Sequence, residues 1–160
     1  MSFTHDLIKL NELSVKTEEG KRLYQTPQGK SYPSVTTVTG ILSKDDIQAW
    51  RQRIGEEKAD QITRAATSRG NEVHKLAELY LKNELFSQST LFDEPKTNNY
   101  KMFEALSSVL DNKVGIVRAI EAPLYSDVLR VGGRVDLVAE WDNELAVIDF
   151  KTSSKPKKEH

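Results

Sequence analysis

The stretch from Gly133 to Thr152, GRVDLVAEWDNELAVIDFKT, constrains this chain more than any other part of it. Set aside Asp136, Asp149 and Lys151, and what flanks Asp142-Asn143 is almost unbroken β-former: Val135, Leu137, Val138 and Ala139, then Leu145, Ala146, Val147, Ile148 and Phe150. Such runs belong to strands buried on both faces. A charge inside one is costly unless it is paired, coordinated or neutralised. Asp142 and Asn143 tolerate positive φ and suit a two-residue hairpin loop. With that loop Trp141 pairs with Glu144, and counting back along both strands sets Asp136 opposite Asp149. A three-residue loop would send the two aspartates to opposite faces, whereas a four-residue loop would keep them together. Strand alternation puts Lys151 on the Asp149 face. Opposed carboxylates repel, and one pKa rises unless a cation lies between them. Two carboxylates and a lysine on one rigid face point to a hard divalent cation that activates water. The competing reading of the same residues is a solvated charge cluster on a sheet edge.

Composition narrows the partners. A chain of 160 residues suits one domain with a real core. A net charge of −1 excludes a blanket polycation, so contact with nucleic acid requires a local basic face. The absence of cysteine excludes disulfides, thiolate catalysis and cysteine-ligated zinc. MSFTHDLIKL lacks the basic region and apolar core of a signal peptide, and no apolar run approaches membrane-spanning length. The expectation is a cytoplasmic protein with no membrane partner.

Upstream, LSVKTEEGKRLYQTPQGKSYPSVT alternates apolar and polar residues around turns at Glu19-Gly20 and Gln28-Gly29, which predicts a small hairpin or meander. SKDDIQAWRQRIGEEKADQITRAA opens with a capping signature, Ser43 with Asp46, and continues as helix with a break near Gly55. A further helix covers Arg69 to Leu81, its apolar stripe formed by Val73, Leu76, Ala77, Tyr80 and Leu81. His74 and Glu78 lie one turn apart beside that stripe. On this helix alone His74 reads as a boundary histidine or a ligand, and Glu78 as an exposed carboxylate. Gly70 permits a close backbone approach. Gln88 to Asn99 reads as a polar connection, Tyr100 to Leu110 as a short helix, the remainder to Thr152 as strands, and SSKPKKEH as a basic end.

GGRVDLVAEWDNELAVIDFKTSSKPK resembles the motif core of the PD-(D/E)xK nuclease superfamily, and RGNEVH resembles the histidine motif of its RecB-like branch. In the order YPSVTTVTGIL, AWRQRIGEE, RGNEVHKLAELYL, IDFKTSSKPK, the chain is similar to phage exonucleases related to the mitochondrial genome maintenance exonuclease. The resemblance implies an α+β, restriction-endonuclease-like fold: an αβββ core with an N-terminal β-hairpin and a helical insertion. It divides one nuclease domain over 1–160 into a hairpin region at 1–33, a helical part bearing His74 at 34–112, and metal-binding strands at 113–152. It makes His74, Asp136 and Asp149 metal ligands, joined by the backbone carbonyl of Phe150. The ion is magnesium or manganese, the latter more comfortable with histidine. Lys151 becomes the catalytic lysine, acting with Asp136 and Asp149. Glu78 and Glu121 are candidates to support the ligands.

The implied reaction is hydrolysis of DNA phosphodiester bonds at ends or on single strands, in phage or bacterial DNA processing. Ser34, Thr36 and Thr37 are candidate phosphate contacts, and Tyr32 or Trp50 candidate stacking rings. Arg51, Arg53, Lys58, Arg64 and Arg69 are candidates for a backbone-tracking face. The plainer readings are capping for Ser34, packing for Trp50 and isolated surface charges for the arginines and lysine. Relatives continue after the Asp-x-Lys strand into a Gln- and Tyr-bearing helix and a further strand. The chain stops at His160, so the C-terminal αβ pair is expected to be absent. Apolar surface around Val135, Leu137, Ile148 and Phe150 would then be bare, inviting self-association or a completing polypeptide. The alternative function is a catalytically weak DNA-binding or assembly module that retains the site residues.

Overall fold

The computed structural model describes residues 2–85 and 97–154. Most of the expected polar connection and the end of the basic tail lie outside the described residues. In chain order the elements are β1 (Thr4–His5), β2 (Ser14–Glu18), β3 (Lys21–Gln25), β4 (Ser31–Pro33), α1 (Val35–Leu42), α2 (Lys44–Ile54), α3 (Glu56–Leu81), α4 (Asn98–Lys113), β5 (Val114–Ser126), β6 (Val131–Trp141) and β7 (Glu144–Ile148). This is an α+β architecture of the restriction-endonuclease-like kind. Two compact units divide it, one from Met1–Ile8, Asp60–Ile120 and Asp136–His160, the other from Lys9–Ala59 and Glu121–Val135.

A mixed sheet runs in the order β1-β5-β6-β7, with β1 parallel to β5 and β7 antiparallel to β6. The β6–β7 hairpin closes through Asp142 and Asn143 at φ 52° and 71°, which pairs Trp141 with Glu144 as expected. From Asp136 to Ala139, β6 is buried on both faces. β7 departs from the expectation: Ala146 and Ile148 turn inward, but Leu145 and Val147 are each 71% exposed. It is an edge strand, covered on one face only.

The core of the first unit gathers Leu76, Ala77, Tyr80 and Leu81 of α3, Phe103 and Leu110 of α4, and Val117, Leu137, Ala139 and Phe150. Tyr80 meets Phe3 and Phe103 edge-on, at centroid separations of 5.3 and 5.5 Å. Leu137 and Phe150 are buried and Val135 and Ile148 half-buried, so none of the four residues expected to be bare is fully exposed. The exposed apolar residues of the hairpin are Leu145 and Val147 instead, because α3 and α4 cover the inner face.

α3 joins, without a break, the helical stretch expected after Gly55 and the further helix expected from Arg69. Glu56 and Glu57 complement the helix dipole, and no proline interrupts the stretch that follows. The helix runs straight through Gly70. A Cβ there would meet only Thr152 Oγ1 at 3.8 Å, so the expected close backbone approach is also absent. At its far end Asn83 adopts φ 62°, and the Glu84 N–H returns to the Leu79 carbonyl at 2.8 Å.

In the second unit β2, β3 and β4 form the expected antiparallel meander. Ser34 caps α1 by accepting the Thr37 N–H at 2.9 Å. Ser43, the expected cap of α2, makes no side-chain bond to that helix. Gly55 ends α2 at φ 87°, the break the sequence predicts. Gly132 has a role that no pattern announced. A Cβ on it would lie 2.6 Å from Tyr24 Cβ, so the backbone of β6 lies directly against that buried tyrosine.

Candidate active site

The first unit draws His74 from α3, Asp136 from β6 and Phe150 from just past β7 into one contact. β7 ends at Ile148, paired with Leu137, so the ladder stops one step short of an Asp136–Asp149 pair. The Phe150 N–H donates instead to Asp136 Oδ2 at 2.6 Å. The Phe150 carbonyl, which can only accept, lies 2.8 Å from His74 Nε2, and this nitrogen therefore carries the proton. Both ends of one residue's backbone are thus held, one by each motif side chain. The His74 and Phe150 rings also meet edge-on, with centroids 5.9 Å apart.

His74 Nδ1 faces Asp136 Oδ1 at 3.5 Å. In the neutral ring Nδ1 presents a lone pair, so two acceptors look at each other across this gap. That arrangement is favourable only with a proton or cation shared between them. Burial pushes the Asp136 carboxyl upward, but His74 with a proton on Nδ1, the Phe150 N–H and the positive charge of Lys151 outweigh it, leaving the group below the usual carboxylate range. Asp136 is therefore ionised at neutral pH.

Asp149 and Lys151 flank the pinned Phe150. Their side chains pair with each other at 2.6 Å and are largely exposed, at 59% and 68%. Among the described residues, Asp149 belongs to no three-residue group of metal-ligand type. An apolar recess of about 520 Å³, lined chiefly by Val73, Met102, Leu106, Trp141, Ile148 and Phe150, also reaches Asp149 and Lys151.

Glu78 bonds Lys82 at 2.6 Å and Lys75 at 3.0 Å along α3, and the Lys82 bond is the main reason its carboxyl is held low against the opposing effect of burial. Glu121, in the second unit, sits at φ 48° within β5, 3.8 Å from Arg134. The hydroxyls of Thr36 and Thr37 turn toward Ser34 Oγ at 2.9 and 2.7 Å. Tyr32 is buried with its hydroxyl on Asp127, which removes it as a stacking ring, and Trp50 is half-buried. Arg51 pairs with Glu56. Arg69 Nε is buried without a hydrogen-bond partner among the described residues. Sequence reasoning missed the Phe150 N–H as an anchor, since a backbone donor leaves no residue-type signal.

A family model described as the PD-(D/E)XK nuclease superfamily matches residues 48–160, more than half of the chain. The chain belongs to this superfamily. It is 33% identical over 135 residues to the human protein named mitochondrial genome maintenance exonuclease 1, covering 78% of this chain and 38% of that protein. The mouse protein of that name is 29% identical over 138 residues, covering 81% of this chain and 39% of the relative. The chain thus spans under two-fifths of the length of these curated relatives. Asp149 and Lys151 fall within the matched residues, on either side of the anchored Phe150. Among the described residues, no helix is long and apolar enough to cross a membrane.

Proposed function

We propose that this chain is a divalent-metal-dependent DNA exonuclease of the RecB-like branch. It acts on ends or single strands during phage or bacterial DNA processing, in the cytoplasm, with residues 1–160 working as one nuclease domain. The observation that carries the reading is the anchoring of Phe150 by His74 and Asp136, which fixes the Asp149-Phe150-Lys151 segment beside an ionised buried carboxylate.

The residues fit a metal. One imidazole and two carboxylates make a donor set of mainly hard oxygens, suited to magnesium or manganese, whereas the Phe150 carbonyl is taken by His74 Nε2, on the far side of the ring from Nδ1. The 3.5 Å gap between His74 Nδ1 and Asp136 Oδ1 suits two neighbouring ligands of one ion. Asp149, exposed and paired among the described residues with the exposed Lys151 ammonium, is available to turn toward them. A bound ion would polarise a phosphoryl oxygen and lower the pKa of the attacking water.

Lys151 has its own task. Its ammonium, once Asp149 turns away, is poised to orient the water or to stabilise charge on the pentavalent phosphate. Removing one such electrostatic group costs about a hundredfold to a thousandfold in kcat. Release of nucleotides from end-labelled single-stranded DNA should therefore require magnesium or manganese and fall by about that factor in Lys151→Ala. Cleavage by Lys151→Ala at the wild-type rate would refute the assignment.

A second reading, a weak DNA-binding or assembly module, is supported by the Asp149–Lys151 pair, which occupies both motif side chains. The exposed Leu145 and Val147 on edge strand β7 are where a second copy or a completing polypeptide would add. DNA binding without metal-dependent nucleotide release would favour that reading.

A further inference from the structure

In the second unit, the turn joining β5 to β6 carries Val128 and Leu129 at its tip, 91% and 73% exposed. Turn positions ordinarily take Gly, Asn, Asp or Ser, and two adjacent large apolar side chains there bury nothing within the fold. The turn itself is firmly built. The Leu129 N–H donates to Ser126 Oγ at 3.1 Å. The Asp127 carboxylate receives the Tyr32 hydroxyl at 2.5 Å and the Lys30 ammonium at 2.9 Å, tying the tip to β4 and the loop before it. The Tyr32 ring stacks against Tyr125 with centroids 6.5 Å apart. Arg130 holds the left-handed conformation at φ 53°, a shape that costs a non-glycine residue energy.

Beside the apolar tip is an open recess of about 510 Å³ lined by Lys30, Ser31, Tyr32, Pro33, Asp127 and Arg130. Lys30 shares Asp127, and Arg130 has no carboxylate partner among the described residues, so this recess keeps a positive charge. A rigid apolar projection beside an unneutralised guanidinium matches one kind of partner. DNA presents apolar base faces once a step is opened, with phosphates alongside them.

We infer that the Val128–Leu129 tip is a wedge that enters the terminal base step of the DNA, with Arg130 and Lys30 receiving the adjoining phosphates. The inference rests on the DNA reading above and adds to it a residue pair that separates bases. The tether explains the construction, since a wedge that yielded on contact would open nothing.

The test uses the full chain with a chelator present, so that nothing is cut, and DNA carrying a fluorescent adenine analogue, quenched by stacking, at its last paired position. Wild type should raise the emission. Val128→Ser/Leu129→Ser should lose the rise and bind the duplex end on the order of tenfold more weakly. Arg130→Gln should retain the rise but show a shallower salt dependence of binding. Leu129→Gln alone gives a second, milder variant, and unchanged melting temperatures certify the folds. No rise with wild type, or equal rises with wild type and the double variant, overturns the wedge. Adding magnesium afterwards separates the two readings: a rise without cleavage fails the nuclease and spares the wedge, whereas cleavage with no difference in stacking does the reverse.

Discussion

Asp136 makes two different demands on its two oxygens. Oδ2 must accept from Phe150 N–H, while Oδ1 faces a ring nitrogen that in the neutral tautomer also accepts. An asparagine would suit the metal-free protein well, because its oxygen can take the Phe150 N–H and its amide can donate to His74 Nδ1. Asp136→Asn should therefore change stability in chelator by less than about 0.5 kcal/mol. Asp136→Ala strands a buried N–H and should cost about 1–3 kcal/mol. Urea denaturation of both variants checks the pair, and an equal large loss in each would show that the carboxylate charge itself holds the segment. The opening pattern of apolar residues interrupted by Asp136, Asp149 and Lys151 was legible as an anomaly requiring chemistry. The backbone anchor at Phe150 was not, because a main-chain N–H looks the same in every residue type but proline.

The helices separate two serines that local sequence treats alike. Ser34 accepts the Thr37 N–H and is buried, so Ser34→Ala should lose about 1 kcal/mol. Ser43 begins α2 without a side-chain cap, and Ser43→Ala should be near neutral by the same denaturation measurement. α3 and α4 are joined by the Tyr80 hydroxyl, which donates to Asp111 at 2.7 Å. Burial first, and Asp111 second, push the Tyr80 phenol up to about 12. A raised folded pKa means that the neutral ring is the stabilising form. Its contribution is complete below the ordinary tyrosine value near pH 10 and is lost as pH rises through about 12. Tyr80→Phe should be less stable at neutral pH by roughly 1 kcal/mol, and its alkaline unfolding limb should be shallower. Gly132→Ala, forced against Tyr24, should be among the most damaging single-methyl additions, at about 1–3 kcal/mol or more.

For the whole molecule, the proposed metal site predicts linkage between ion and fold. An ion that binds the assembled donors and not the unfolded chain stabilises by mass action, so magnesium or manganese should raise the melting temperature in proportion to the logarithm of its concentration above Kd. At a hundred times Kd the gain is about 2.7 kcal/mol. Asp149→Asn should remove most of it and Lys151→Ala little. A melting temperature indifferent to both metals would leave the DNA-binding module as the better reading. Local sequence determined the hairpin turn, its register, the meander, the Gly55 break and the stripe of α3, because each follows from φ preference or side-chain periodicity within a few residues. Tertiary structure alone decided which face of β7 is bare, and that Asp149 lies beyond the ladder while Phe150 turns its backbone to His74 and Asp136. Those outcomes depend on which surfaces and hydrogen-bond partners distant segments bring together, and His74 and Phe150, separated by 76 positions, meet only when the chain has folded.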